Sequence, residues 1–354
     1  MNPLATDLEH VLARTEGLWE ELRGGRLFLT GATGFFGCWL LESLLWANDR
    51  LGLNVQVVAL SRNPGIFARK APHLAAHAAV RWQAGDVADF PWPDGSFTHV
   101  IHAASELNNP CAADPVGLLE RAFAGQRQVL QLAAQRGVAK FLYTSSGAVH
   151  GPAVPGRHAI REDDPVSALP LEPRGAYAEA KRLAELLGAL YARQHGFEFK
   201  LARGYAFLGP YLPLEGHFAA GNFLRDALAG GPVTVQGSGT AVRSYLHGAD
   251  LAVWLWTILF RGVAGRPYNL GSDVPVSVVD LARAVARACS PELVVRVLGQ
   301  ARPGDVVDYY VPDLSRAHAE LGLEVSIPLA TAIQRTLAWY RESPPRNQCF
   351  TEHQ

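Results

Sequence analysis

The chain predicts an α/β fold: a doubly wound parallel sheet with helices on both faces and a smaller C-terminal α/β lobe. Three observations carry this. Short apolar runs near 27–29, 55–60, 80–90, 97–105, 140–146 and 199–207 alternate with segments of helical period, which is the pattern of parallel strands joined by crossover helices. Three glycines, Gly31, Gly34 and Gly37, sit where the first apolar run passes into the helix-like CWLLESLLWA. Hydrophobic residues make up 49% and charged residues 18% of the 354 positions, enough apolar side chain to cover both faces of a sheet.

Before the first strand, Leu8, Val11, Leu12, Leu18, Trp19 and Leu22 roughly follow a helical period, and Gly24-Gly25 closes the segment. Residues 1–25 are therefore expected to be a helical extension packed on the body or lending surface to an oligomer. RLFLTGATGFFG at 26–37 then gives strand, glycine turn and helix. That geometry holds a pyrophosphate on backbone N–H groups at a helix N-terminus, so Gly31, Thr33, Gly34, Phe35, Phe36 and Gly37 are the expected cradle of a dinucleotide. The second strand runs into Ser61-Arg62, where an acid would bind the ribose 2′-OH of NAD. Arg62 would instead attract a 2′-phosphate, so the cofactor is read as NADP or NAD with NADP favoured. Asp86, followed by Val87, is placed to accept from the adenine amino group, and Ala103 with Ala104 leaves room for a cofactor to pass. His99 and His102 read as structural, and no metal site is expected.

A helix at 115–136 and a strand ending at Ser146 come next, then a long helix at 173–196 carrying Tyr177 and Lys181 one turn apart on one face. The Gly/Pro-rich loop after Leu208 suits a ligand lid. The divisions expected are 26–207 as the Rossmann dinucleotide domain, 208–345 mainly as a substrate lobe, and 346–354 as a tail. The run at 251–260, LAVWLWTILF, is too short to span a membrane and reads as a buried helix. Net charge is −1, which gives nucleic acid nothing to bind. The scattered Cys38, Cys111, Cys289 and Cys349 match neither a zinc spacing nor a disulfide framework, so a reducing, cytoplasmic setting is expected.

A lysine ammonium beside a tyrosine stabilises phenolate and draws its pKa down from about 10. Such a phenol can exchange a proton with a substrate hydroxyl while hydride moves to or from a nicotinamide. Ser146, at a strand end, can share the bond to the same oxygen.

With these residues in view, the sequence resembles the extended short-chain dehydrogenase/reductases, in particular their nucleotide-sugar epimerase/dehydratase group. TGATGFFG, GDV, HAAS, TSSGAVHG, YAEAK, RGYAFLGP, RSYLHGADLA, YNLGS with VSVVDLA, and RPGD carry the likeness over about 26–340. The resemblance implies catalysis by Ser146, Tyr177 and Lys181. It implies nucleotide-diphosphate contacts at Asn222, Arg243 and Arg302, and a homodimer built on the helices near 115–136 and 176–196. The competing reading of the two arginines is internal pairing, for instance with Asp250 or Asp305. The family's dehydratases carry Asp-Glu after the catalytic Thr, whereas Ser146 is succeeded here by Gly147-Ala148. His150 stands where Tyr is common, as a structural or a titratable group, Ala206 where Asn is common, and an Asn usual in the long helix is replaced near Ala122. The expectation is a nucleotide-sugar 4-epimerase. The alternatives are an NADPH-dependent 4-ketosugar reductase, then a 4,6-dehydratase, then a cofactor-binding regulator without catalysis.

Overall fold

A computed structural model describes residues 2–105, 114–152, 156, 159–166, 172–216, 218–302 and 304–342. Cys111, Cys349 and the tail 346–354 lie outside the described residues. Strands β1 (Arg26–Thr30), β2 (Gln56–Ser61), β3 (Val80–Ala84), β4 (His99–His102), β5 (Lys140–Ser146) and β6 (Glu198–Gly204) join β11 (Pro267–Leu270) in one sheet. Its order is β11-β6-β5-β4-β1-β2-β3, and every neighbouring pair is parallel. The order reverses between β1 and β4, the place where open α/β sheets leave a crevice for ligands.

Strand side chains alternate between the two faces. Leu27, Leu29, Ile101, Leu142 and Ala202 face one apolar core, with α1 (Ala5–Arg14), α2 (Phe35–Leu51) and α8 (Gly248–Arg261) packed on it. Phe28, Val58, Val100, Phe141 and Phe199 face the other, covered by α5 (Pro115–Gln135) and α6 (Ala176–His195). Short helices α3 (Pro64–Lys70) and α4 (Pro72–Ala75) come after β2, each opened by its proline. The helix expected from residue 173 begins with a 3-10 turn at Pro173–Gly175 and becomes α-helical at Ala176.

The remaining elements build a lobe over the C-terminal edge of the sheet. These are β7 (Phe207–Leu208), α7 (Ala219–Leu228), β8 (Val233–Val235), β9 (Val242–Arg243), β10 (Leu246–His247), β12 (Val276–Ser277), α9 (Val278–Arg287), β13 (Val295–Val297), β14 (Tyr309–Tyr310), α10 (Ser315–Leu321) and α11 (Leu329–Glu342). Strands β12-β9-β14 form a small sheet, and β7 pairs with β10.

The segment after 208 does not belong wholly to the lobe. YNLGS, expected in the lobe, supplies the edge strand β11 of the main sheet, and α8 packs beneath that sheet. The reason is the composition of α8: apolar on every side, it has all but its last residue buried, which only a place between layers provides. No helix among the described residues is long and apolar enough to cross a membrane.

Asp250, in the first turn of α8, joins the extension to the body. Its carboxylate accepts from the N–H groups of Ser326 (3.0 Å) and Ile327 (2.9 Å), from the Ser326 hydroxyl, and from His10 Nε2 (3.3 Å). Burial pushes this carboxyl up, but those hydrogen bonds outweigh it and hold it below the ordinary value. Its contribution is therefore present above the ordinary carboxylate pKa and is lost as pH falls through the depressed one. Asp250→Ala is expected to cost about 2–4 kcal/mol at neutral pH in denaturant titration, with the gap to wild type closing in acid.

Candidate active site

Gly31 leaves β1 with φ +69°, and a side chain there would come within 2.5 Å of the Ala104 nitrogen and closer still to the Ala103 carbonyl. The turn after β1 thus rests directly on the end of β4. A Cβ at Gly37 would reach 2.5 Å from the Ala32 carbonyl carbon, so α2 also sits against the turn backbone to backbone. No side chain caps α2 at Gly34, which leaves first-turn N–H groups facing out for an anion. The turn is held from behind: Lys70 Nζ donates to the Thr33 carbonyl (3.2 Å), and the Phe35 and Phe36 rings pack on Phe207 at 6.2 and 4.8 Å. These features fit a dinucleotide pyrophosphate.

Parallel register brings the other expected cofactor residues to the same edge, since Thr30 pairs with Leu60 and with His102, and Ser61 pairs with Ala84. The Ser61 hydroxyl accepts from the Asn63 N–H (3.2 Å), while Arg62 is exposed beside it. Asp86 Oδ1 accepts from the Ala88 N–H (2.9 Å), and Val87 packs beneath Gly125. Ala103 and Ala104 donate to the Thr30 carbonyl and hydroxyl (3.3 and 3.2 Å). His102 Nδ1 lies 2.6 Å from the same hydroxyl, and burial drives its pKa down to about 3. A neutral imidazole bracing Thr30 is a structural part.

Of the three groups expected to carry chemistry, Ser146 and Lys181 are both held at the C-terminal end of β5, and Tyr177 lies beside Lys181. Ser146 is the last residue of β5; its Oγ accepts from the Ala148 N–H at 3.2 Å. Lys181 is buried, donates to the Thr144 carbonyl (2.9 Å), and holds its ammonium 5.9 Å from the Tyr177 ring centre and 4.9 Å from that of Tyr143. Burial lowers this lysine to about 8, with Glu185 pulling the other way. Glu185 takes a hydrogen bond from Ser145 Oγ (2.5 Å) and a two-pronged pair from Arg203 (3.0 and 2.7 Å). Arg203 also donates to His150 Nε2 (3.2 Å), which makes that buried ring part of the scaffold.

Gly147, directly after Ser146, has no room for a side chain. A Cβ there would lie 2.5–2.8 Å from atoms of the Tyr205 ring, so the space next to Ser146 is filled by an aromatic wall. Tyr310 lies tilted against Tyr205 with ring centres 4.6 Å apart, and its hydroxyl lies 3.4 Å from Ser146 Oγ. Sequence reasoning missed Tyr310, because nothing in the spacing of DVVDYY tells which tyrosine faces β5. It missed Glu185 too, although four residues after Lys181 on the same helical face was a usable signal.

The expected substrate residues are spread out. Arg243 lies opposite Tyr310 in the β9–β14 pair, and its guanidinium is engaged by the carboxylate of Asp308 and by the carbonyls of Asp308 and Val242 (2.8 Å each). Its internal partner is therefore Asp308, not Asp250 or Asp305: Asp250 is committed to Ser326 and Ile327, whereas Asp308 faces Arg243 across the ladder. Asn222 donates to the Gly216 carbonyl (3.0 Å) and accepts from Arg225. Arg302 is exposed, with its N–H on Asp305 (2.8 Å).

The sequence pattern of the NAD dependent epimerase/dehydratase family matches residues 27–271. The chain is 28% identical to UDP-glucuronic acid decarboxylase 1 of Xenopus tropicalis over 318 residues, covering 90% of this chain and 72% of that protein. It is 28% identical to the dTDP-glucose 4,6-dehydratase of Streptomyces griseus over 322 residues, covering 89% and 94%. The solved structure of UDP-glucuronic acid 4-epimerase from Bacillus cereus, in complex with UDP-glucuronic acid and NAD, is similar with a TM-score of 0.74. Identity there is 19%, over 90% of this chain and 99% of that one, a likeness of fold.

Gly31→Ala forces an L side chain into the left-handed region and against backbone that has nowhere to go. The variant is expected to lose the rise in thermal midpoint that added NAD or NADP gives the wild type, which differential scanning fluorimetry reads directly.

Proposed function

The chain belongs to the NAD dependent epimerase/dehydratase family, and on that premise we propose that it is a nucleotide-sugar 4-epimerase working through a transient 4-keto sugar. The observation that carries this reading is that Ser146 ends β5, the strand whose Thr144 carbonyl holds Lys181 beside the Tyr177 ring, with an aromatic wall where a dehydratase would place an acid. Tyr177 takes the proton from the sugar 4-OH and later returns it. Lys181 supports the phenolate form with its charge. Ser146 shares the hydrogen bond to the same oxygen. A bound nicotinamide supplies the acceptor and donor of the C4 hydride. Loss of water across C5–C6 needs a further acid and base, and residues 147–149 are Gly, Ala and Val.

A nucleotide diphosphate supplies the anion that Arg243 would take in exchange for Asp308. That exchange is easy, because an exposed carboxylate pair contributes only about 0–1 kcal/mol. Exposed Arg62 and the lack of an acid after β2 support NADP, and with it the second reading, a 4-ketosugar reductase. Incubation with a panel of nucleotide hexoses separates the two. Epimer formed with no net change in nicotinamide absorbance is expected. Stoichiometric loss of NADPH with a 4-keto sugar would replace the first reading by the second.

Tyr177→Phe is expected to lower kcat by about 10²–10⁴-fold while leaving the thermal midpoint near wild type. The pH dependence comes from Lys181. Below about 8 it is charged and supports the phenolate; above that it is neutral and does not. Wild-type kcat/KM is therefore expected to fall as pH rises through that value.

A homodimer is part of the reading. Val116, Leu119 and Phe123 on α5, with Leu183, Leu186 and Leu190 on α6, leave a large apolar face exposed, Leu186 to 59%. A second copy would cover it. Placing glutamate at both Leu186 and Leu190 is expected to shift the protein to monomer in light-scattering chromatography.

A further inference from the structure

We infer that Glu185 is the positioning residue of this site, clamping the catalytic strand to the catalytic helix so that Ser146 and Lys181 hold one geometry. This rests on the reading of Ser146, Tyr177 and Lys181 given above and names how their arrangement is kept. Glu185 lies one helical turn after Lys181 on α6. One carboxylate oxygen takes the Ser145 hydroxyl at 2.5 Å and Arg203 Nε at 3.0 Å; the other takes Arg203 Nη2 at 2.7 Å. Ser145 is the neighbour of Ser146 on β5, and Arg203 belongs to β6. Three elements thus close on one largely covered carboxylate, each side chain of the Glu185–Arg203 pair being 13% exposed. Such a pair fixes geometry more than it adds stability, since desolvation of both ions offsets their attraction.

The same carboxylate is the acid facing Lys181. The groups around that ammonium are His102 from β4, neutral through burial, Tyr143 from β5, whose phenol burial pushes up, and Tyr177 and Glu185 from α6, with Arg203 of β6 behind Glu185. Burial favours loss of the Lys181 proton, and Glu185 opposes that loss. The carboxylate therefore has two effects, one on geometry and one on the charge that Tyr177 meets.

The experiment needs no substrate in its first arm. In cofactor-free protein, the ionisation of Tyr177 is read as tyrosinate absorbance, wild type minus Tyr177→Phe. Glu185→Gln is expected to displace that ionisation and to move the alkaline fall of kcat/KM downward by about one pH unit, since the acid that opposes loss of the Lys181 proton is gone. Glu185→Asp keeps the charge and shortens the reach, so the ionisation stays while kcat falls about tenfold with KM little changed. A Glu185→Gln protein with a lowered thermal midpoint but unmoved ionisation overturns the electrostatic part. A Glu185→Asp protein with wild-type kcat overturns the positioning part, and that variant decides the matter even where the glutamine variant does not fold. Full activity in Tyr177→Phe would instead remove the catalytic reading and leave the two ionisation results standing on their own.

Discussion

The contact on which the site depends is backbone against backbone: the turn after β1, at Gly31, lying on the end of β4 at Ala103 and Ala104. Parallel pairing sets every strand end of the sheet at one edge, but an edge alone is a row of loops. Gly31 and Gly37 let the first loop fold flat, with α2 pressed against it and its first N–H groups turned outward. Thr30 and His102 then fasten the neighbouring strand end to it. With that crevice formed, register alone places Ser61, Asp86 and Ser146 along its rim.

Much of this was legible in the sequence, and the reason is local. Gly31, Gly34 and Gly37 come after a strand at a fixed spacing, and Tyr177 and Lys181 share a helical face, so neighbours in sequence already imply neighbours in space. The strand ends were legible because apolar runs stop at small or polar residues. What escaped depends on which distant side chains meet. Asp308, and not Asp250, reaches Arg243 because β14 happens to pair with β9. Tyr310 touches Ser146 for the same reason. The place of YNLGS in the main sheet was hidden because it is a short strand whose partner, β6, lies far back in the chain.

The departure at Gly147 gains a physical meaning from the structure. In sequence it is only a missing carboxylate. In space Tyr205 occupies the volume that any side chain at 147 would need, and Tyr310 extends that surface toward Ser146. The absence is therefore built in from several elements, and a single substitution at 147 would meet a ring already in place. His150 fits the same account: its ring accepts from Arg203, the residue that also grips Glu185, so the change from tyrosine is absorbed by the scaffold behind the site.

Helix α8 also decides how the molecule comes apart. One continuous apolar core runs from α1 through α2 and α8 to α9 and α11, and takes in both the main sheet and the lobe. A chain that reads as two modules therefore has no seam along which they could melt separately, and heat should undo them together. A ligand held at the edge of the sheet would therefore steady the whole block, down to its first helix.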